Sequence, residues 1–281
     1  RPSLHLKKYL SKYTLYLIIY FYFLSFKVNL LIFMKNFDFS IILTCTINPI
    51  QMPNLVRSNP EIRFQDYKKS FNFWVNNTFV NKIILIENSN YDLSYFNKIA
   101  KDIKNKEIEI ISSNSNNRYD KSLGKGYGQY LCLKEVFDQS QIAKTTKYFI
   151  DVTGRHCIKN FKAIIKDIIK NESSIYVNIT DNLKFADANI YGGTKKFFIN
   201  YLLPETKKTN DSQNKIFENC VASATLKAVS DGMNLSKTPI YADIEGFIGT
   251  NGKKYKQNIM KKIKLFFFRK LKIYFFNHKK Y

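Results

Sequence analysis

Phe149-Ile150-Asp151-Val152-Thr153-Gly154-Arg155 is the stretch on which the reading of this chain turns. An apolar, β-branched run that stops at Asp-x-Thr-Gly-Arg reads as a strand ending in polar groups, and open α/β sheets bind ligands outside such carboxyl ends. Just upstream, Gly124-Lys125-Gly126-Tyr127-Gly128 opens a helix. Glycines at a helix start let backbone N–H groups approach an anion, although a plain turn has the same composition.

Outward from that strand the chain alternates. Ser40–Thr46 reads as a buried strand, and Glu61–Thr78 as a helix with Ile62, Phe64, Tyr67, Phe71 and Trp74 on its apolar face. Strands are expected at Lys82–Glu87, Glu107–Ser112, Lys147–Val152 and Ile175–Thr180. Helices are expected at Asp92–Ile103, which Asp92 caps, at Tyr127–Phe137 and at Asn160–Lys170. Further helices follow near Lys195–Leu202 and Ser212–Val229, then a glycine-studded loop, Glu245–Gly252. Such alternation predicts the α/β class, a mostly parallel sheet with helices on both faces. The polar stretch Ser112–Tyr119 is expected to be a long mobile loop over the sheet's carboxyl edge.

The 281 residues suit one generous domain with appendages. Formal charge is +23, yet its distribution speaks against a nucleic-acid groove. Residues 1–33 carry five bases and no acid, and residues 253–281 carry eleven and no acid, which leaves +7 for the middle. No nucleic-acid partner is expected. The four cysteines, Cys45, Cys132, Cys157 and Cys220, form no Cys-x-x-Cys pair, so neither a zinc site nor a disulfide framework is suggested. Of the three histidines only His156 falls within the probable domain, which excludes a histidine metal cluster and makes a Ser-His-Asp hydrolase a poor fit.

Both ends stand apart from residues 34–256. Residues 1–33 are nearly continuous apolar and aromatic sequence, and two readings stay open: a membrane segment, with an uncharged run Tyr13–Phe26 short of the roughly 20 residues a span needs, or translated upstream sequence ahead of Met34. In residues 257–281, Ile259, Ile263, Phe266, Phe267, Leu271 and Tyr274 recur at helical spacing among lysines and Arg269. That pattern predicts a basic C-terminal helix on an anionic membrane surface, or else a terminal helix packed on the domain.

Three strand ends carry polar groups: Thr44-Cys45-Thr46, Glu87-Asn88-Ser89 and Asp151-Val152-Thr153-Gly154-Arg155. With these the sequence resembles the GT-A class of nucleotide-sugar glycosyltransferases, the bacterial enzymes of lipopolysaccharide and capsular polysaccharide synthesis. Phe39–Thr44 is similar to their first strand and Lys82–Ser89 to their second. Gly124–Gln129 is similar to a Lys-Gly-x-Gly-Glu turn, and Thr153-Gly154-Arg155-His156 with Asn160 to a Thr-Gly-Arg-Tyr…Asn element. Phe185-Ala186-Asp187-Ala188-Asn189 with Phe197-Phe198 resembles their Asp-Ser-Arg segment, Glu218 falls in a helix that commonly carries an acid, and Gly246–Lys253 is similar to their closing loop. The likeness spans residues 38–256.

The resemblance implies a Rossmann-like GT-A fold and a nucleotide-sugar donor held by Thr44, Thr46, Glu87, Asn88, Lys125, Gly126, Thr153, Gly154 and Arg155. Asp187 and Glu218 are the candidates for a general base, and Lys125 and Arg155 for cations facing a leaving phosphate. Each also has a plainer reading, Lys125 and Arg155 as ordinary surface bases and Glu218 as a helix-surface acid. The Asp-x-Asp metal signature is missing. Asp151 alone occupies its place and Asp187-Ala188-Asn189 is the other oxygen pair, so Mg²⁺ or Mn²⁺ dependence stays open. The expected partners are a glycan or lipid-linked acceptor and the cytoplasmic face of the cell membrane. A sugar nucleotidyltransferase is the second enzyme reading. It calls for a glycine- and base-rich loop after the first strand, where this chain has Ile47-Asn48-Pro49-Ile50-Gln51-Met52-Pro53. A basic membrane-surface or RNA-binding scaffold is the non-enzymatic reading.

Overall fold

The structure, a computed structural model, describes residues 37–255 apart from 51, 54, 181 and 237–239, together with Ile263. The leader 1–33 and, Ile263 aside, the basic tail 257–281 lie outside the described residues. Among those described, no helix is long and apolar enough to cross a membrane.

The chain is an α/β domain around one six-stranded, mostly parallel sheet. In chain order the main elements are β1 (Phe39–Cys45), α1 (Pro60–Val75), β2 (Lys82–Glu87), α2 (Ser94–Asp102), β3 (Glu107–Ser112), α3 (Lys125–Gln139), β4 (Tyr148–Thr153), β5 (Cys157–Ile158), α4 (Phe161–Lys170), β6 (Ile175–Tyr176), β7 (Ile179–Thr180), β8 (Phe185–Ala186), β9 (Ile190–Thr194), α5 (Phe217–Ser230) and β10 (Ile244–Glu245). The sheet order is β3-β2-β1-β4-β9-β6, with β9 antiparallel to both neighbours. The register brings Cys45 beside Glu87, Glu87 beside Ser112 and Thr44 beside Thr153, so four parallel strands end at one edge.

Side chains alternate across β1, and each face meets its own helices. Ile42, with Ile84, Ile86 and Phe149, packs under α3 and α5 through Leu133, Val136, Val221 and Ala224. On the other face Phe39 meets Phe161 of α4, which also packs edge-on against Trp74 of α1. Trp74 Nε1 and Ser70 Oγ then donate to the His156 carbonyl at 3.0 and 2.9 Å, tying the loop after β4 to α1.

Several expectations are corrected. Ile175–Thr180 is two strands: β6 joins the main sheet, whereas β7 pairs with β8 in a separate ribbon. No strand was expected at β9, which carries Gly192 and Gly193. A Cβ on Gly192 would come 2.6 Å from the Phe149 carbonyl, so the glycine serves close approach of strands. The expected helix from Ser212 begins only at Phe217, because Asn210 and Lys215 bridge a tight turn in which Asn214 is left-handed at φ 56°. On α1, Ile62 is 47% exposed and Arg63 takes the inward position. Asp92 does accept from Ser94 N at 2.9 Å, although Leu93 occupies the cap position. The Ser112–Tyr119 segment is pinned, with a 3₁₀ turn at Ser115–Asn117 whose buried Asn116 donates its backbone N–H to the Asn88 carbonyl at 2.8 Å.

Candidate active site

A cleft of about 510 Å³ opens at the carboxyl edge of the sheet. Of the residues singled out from sequence, Thr44, Thr46, Lys125, Gly126, Thr153, Arg155, Asp187 and Glu218 line it. Glu87, Asn88, Asp151 and Gly154 do not; they lie behind the wall they were expected to form.

The reason is backbone chemistry. Glu87 ends β2 fully buried, and its carboxylate accepts from the backbone N–H of Ile47 at 2.9 Å, Ser89 at 3.0 Å and Tyr91 at 3.0 Å, and from the Ser89 hydroxyl. Three loop N–H groups that leave the sheet unpaired are thereby satisfied, so this acid organises loops instead of reading a nucleoside. Asn88 accepts from Thr46 Oγ1 at 2.7 Å, joining the ends of β1 and β2. Gly154 is needed for contact: a Cβ there would lie 2.6 Å from Cys45 Sγ and 2.7 Å from the Thr44 carbonyl. Its own N–H donates to that carbonyl at 3.0 Å.

Asp151 is corrected as a metal ligand. It is fully buried short of the β4 end, and Gln129 Nε2 donates to its Oδ2 at 2.8 Å. Burial pushes its carboxyl up to about 7, against the lowering effect of the Tyr191 hydroxyl and the Gln129 amide. Among the described residues no three His, Cys, Asp or Glu side chains gather to hold a metal ion. Asp187, the other oxygen candidate, spends Oδ1 on two donors from Asn189. These residues do not fit a protein-built metal centre.

The cations sit differently from one another. Arg155 follows the β4 end and donates from Nη1 to the Phe247 carbonyl at 3.0 Å, while its buried Nε has no protein partner. Phe247 belongs to the closing loop and is covered by Arg57, whose Cζ stands 3.9 Å above its ring and whose guanidinium pairs with Asp66. Lys125 is exposed at the first turn of α3. There Gly126 lets α3 approach α5, since a Cβ would meet Phe217 Cβ at 2.6 Å. His156 lines the cleft beside Arg155 but is buried, and desolvation, helped by the Arg155 charge, drives its imidazole down to about 3, so it stays neutral and is no base at ordinary pH.

Sequence reasoning missed Arg63, Tyr67, Asp211 and Tyr255, all of which line the cleft. Arg63 donates to the Thr46 carbonyl at 2.7 Å and to Tyr67 Oη at 2.9 Å, and Thr46 N donates to the same oxygen at 3.0 Å. Its signal was available, as an arginine four residues before a tyrosine on the apolar side of a helix. Asp211 packs against Gly124 near Lys125, and burial raises its carboxyl while Lys125 lowers it. No local pattern marks it, because it reaches the cleft by tertiary packing.

No family model and no curated protein matches the chain. Solved structures do resemble it. They include the inositol-1-phosphate CTP transferase from T. maritima, with 13% identity over 70% of this chain and 83% of that one and a TM-score of 0.38. The 4-diphosphocytidyl-2C-methyl-D-erythritol synthase from Anaerococcus prevotii has 13% identity, 85% and 98% coverage and a TM-score of 0.41. A cytidylyltransferase from Leptospira borgpetersenii has 10% identity, 87% and 99% coverage and a TM-score of 0.40. Likeness at this level concerns the path of the chain and carries nothing about activity.

Proposed function

We propose that the cleft binds a nucleotide sugar and that the chain is a glycosyltransferase moving the sugar to a hydroxyl acceptor. The observation that carries this reading is the state of the loop after β1. Its N–H groups turn inward: Thr46 to Tyr67 Oη, Ile47 to Glu87, Asn48 to Ser89 Oγ at 2.9 Å, Met52 to the Pro49 carbonyl at 3.0 Å and Arg57 to the Gly249 carbonyl at 3.1 Å. Residues 46–56 contain no Gly, Lys or Arg. A nucleoside triphosphate would find few donors and no charge there, whereas Lys125, Arg155 and the start of α3 offer both to a diphosphate.

Asp187 and Glu218 also line the cleft, and either carboxylate would serve as the base that takes the acceptor's proton. The same proposal includes a surface glycan or lipid-linked acceptor in lipopolysaccharide or capsule synthesis, and a peripheral place on the cytoplasmic membrane face through residues 257–281. Those parts rest on sequence pattern and resemblance.

The second reading, nucleotidyl transfer to a sugar phosphate, is the activity class named for the solved structures above. One experiment separates the two. Thermal stability of the full chain is scanned with UDP-, GDP- and CMP-sugars and with CTP plus sugar phosphates, each with Mn²⁺, Mg²⁺ or EDTA. A ligand that binds only the folded state raises the midpoint by mass action. Glycosyl transfer predicts a shift with one nucleotide sugar, lost in Arg155→Ala, and slow release of nucleoside diphosphate. A shift with triphosphate and release of pyrophosphate would replace it with the second reading.

A further inference from the structure

Three side chains on the loop-built wall of the cleft form a hydrogen-bonded chain. The Tyr255 hydroxyl donates to Asn189 Oδ1 at 2.7 Å. Asn189 donates to Asp187 Oδ1 twice, from Nδ2 at 2.7 Å and from its backbone N at 3.1 Å. All three residues line the cleft. Because both donors take the same carboxylate oxygen, the plane of the carboxyl group is set and Oδ2 is the oxygen left for a ligand. A carboxylate only accepts, so the NH₂ of the Asn189 amide faces Asp187 and its oxygen faces the tyrosine.

Tyr255 reaches this position from the closing loop. Its N–H donates to the Gly246 carbonyl at 3.0 Å, and Phe247 bridges Lys254 within the same loop. That loop also supplies the Phe247 carbonyl to Arg155 and lays Gly249 against the Arg155 guanidinium. One loop therefore holds a cation on the donor side and a carboxylate on the acceptor side. The Tyr255 ring stands edge-on to His156, centroids 5.1 Å apart, which locks its direction. Burial pushes its hydroxyl up to about 12, so it remains a donor throughout the working range.

We propose that Tyr255 and Asn189 are positioning residues for Asp187, presenting Oδ2 as the proton acceptor for the hydroxyl that attacks the donor sugar. This rests on the glycosyl-transfer reading above. In that step the acceptor oxygen bonds to the anomeric carbon as its proton passes to Asp187 Oδ2. The bond from the anomeric carbon to the diphosphate oxygen breaks, and its electron pair leaves on the nucleoside diphosphate beside Arg155 and Lys125. Asp187 later returns the proton to water.

The test uses the full chain, the nucleotide sugar that gives the largest thermal shift, and water as the acceptor, with nucleoside diphosphate release as the rate. Tyr255→Phe keeps the ring on His156 and removes only the hydroxyl. Its kcat is expected to fall about tenfold, and that of Asn189→Ala about a hundredfold, with donor KM within about twofold of the parent, since misplaced groups cost turnover more than binding. Asp187→Asn loses about a hundredfold or more, as removal of a general base does. In the Asp187→Asn background Tyr255→Phe is expected to cost nothing further, because a residue acting through another has then nothing to act on. A full multiplicative loss in the double variant, a loss confined to KM, or no loss in either single variant overturns the assignment while leaving glycosyl transfer intact. A parent chain with neither a nucleotide-sugar shift nor diphosphate release overturns the transfer reading and this assignment together. The retained thermal shift of each variant shows that it is folded.

Discussion

The two walls of the cleft are built on opposite principles. One is the row of strand ends backed by α1, where Glu87 spends its carboxylate on loop N–H groups, Asn88 takes the Thr46 hydroxyl and Arg63 donates to the Thr46 carbonyl and to Tyr67; Thr44, Thr46, Thr153 and Arg155 reach the cavity beside Arg63 and Tyr67. The other is made from the loop after β8, the start of α5 and the closing loop, where Asp187, Asn189, Glu218 and Tyr255 all line it. A sheet edge leaves N–H groups without ladder partners, and buried side chains must satisfy them before a ligand is served. Asp187 and Glu218 are half-buried where Glu87 is fully buried, so their carboxylates stay available. Polar residues at strand ends are thus expected to govern stability, and those on the loop wall turnover.

Four substitutions sharpen or break that contrast. Glu87→Ala strips the partner from three backbone N–H groups in a dry site. A loss of about 4 kcal/mol is expected from charge-assisted bonds left unmade, read as a lower urea midpoint; a loss under about 1 kcal/mol would dissolve the distinction between the walls. Asp151→Asn works in the opposite direction and depends on pH. The native carboxyl titrates near 7 because of burial, whereas in the unfolded chain it titrates near 4, so the folded state holds the proton more tightly and native stability falls as pH rises between those values. Each tenfold difference in proton affinity is worth about 1.4 kcal/mol, so the variant should match the parent at about pH 4 and gain up to about 4 kcal/mol above about pH 7.5. Thermal midpoints across that range decide it, and a gain that does not grow with pH refutes the buried, raised carboxyl.

Tyr67→Phe removes the oxygen shared by Thr46 and Arg63. About 2 kcal/mol should be lost for buried groups left without a partner, again by denaturant midpoint. Asp187→Asn keeps shape and changes charge on the loop wall. Its stability should move by no more than about 0.5 kcal/mol while turnover collapses. If it unfolds the domain instead, Asp187 belongs with Glu87 as a structural acid.

Much of the fold was legible because hydrophobic period reports burial directly. Lys82–Glu87 and Glu107–Ser112 form as the pattern predicts, and β1, α3 and β4 differ by one or two residues at their ends. The strand β9, which carries Gly192 and Gly193, was not expected from the sequence; a glycine demanded by close packing and one demanded by a turn look alike there. Of the candidates read from sequence, Asp187, Glu218, Lys125 and Arg155 share one cavity. Tyr255 and Asp211 were not among those candidates, since neither has a neighbour in sequence that betrays its partner, which for Tyr255 is Asn189, 66 residues away, and for Asp211 is Gly124.

By itself the sequence determined the order of the first four strands and the helices between them, the sheet class and the polar character of the Asp151–Arg155 strand end, because these follow from local period and residue type. Which of those polar atoms faces the cavity was decided only by tertiary structure. Asp151 and Arg155 lie four residues apart, yet one is sealed beneath Gln129 and the other opens on the cleft under the closing loop. The pleat alternates side chains between faces, and only the packing of α3 and the closing loop determines which of them is covered.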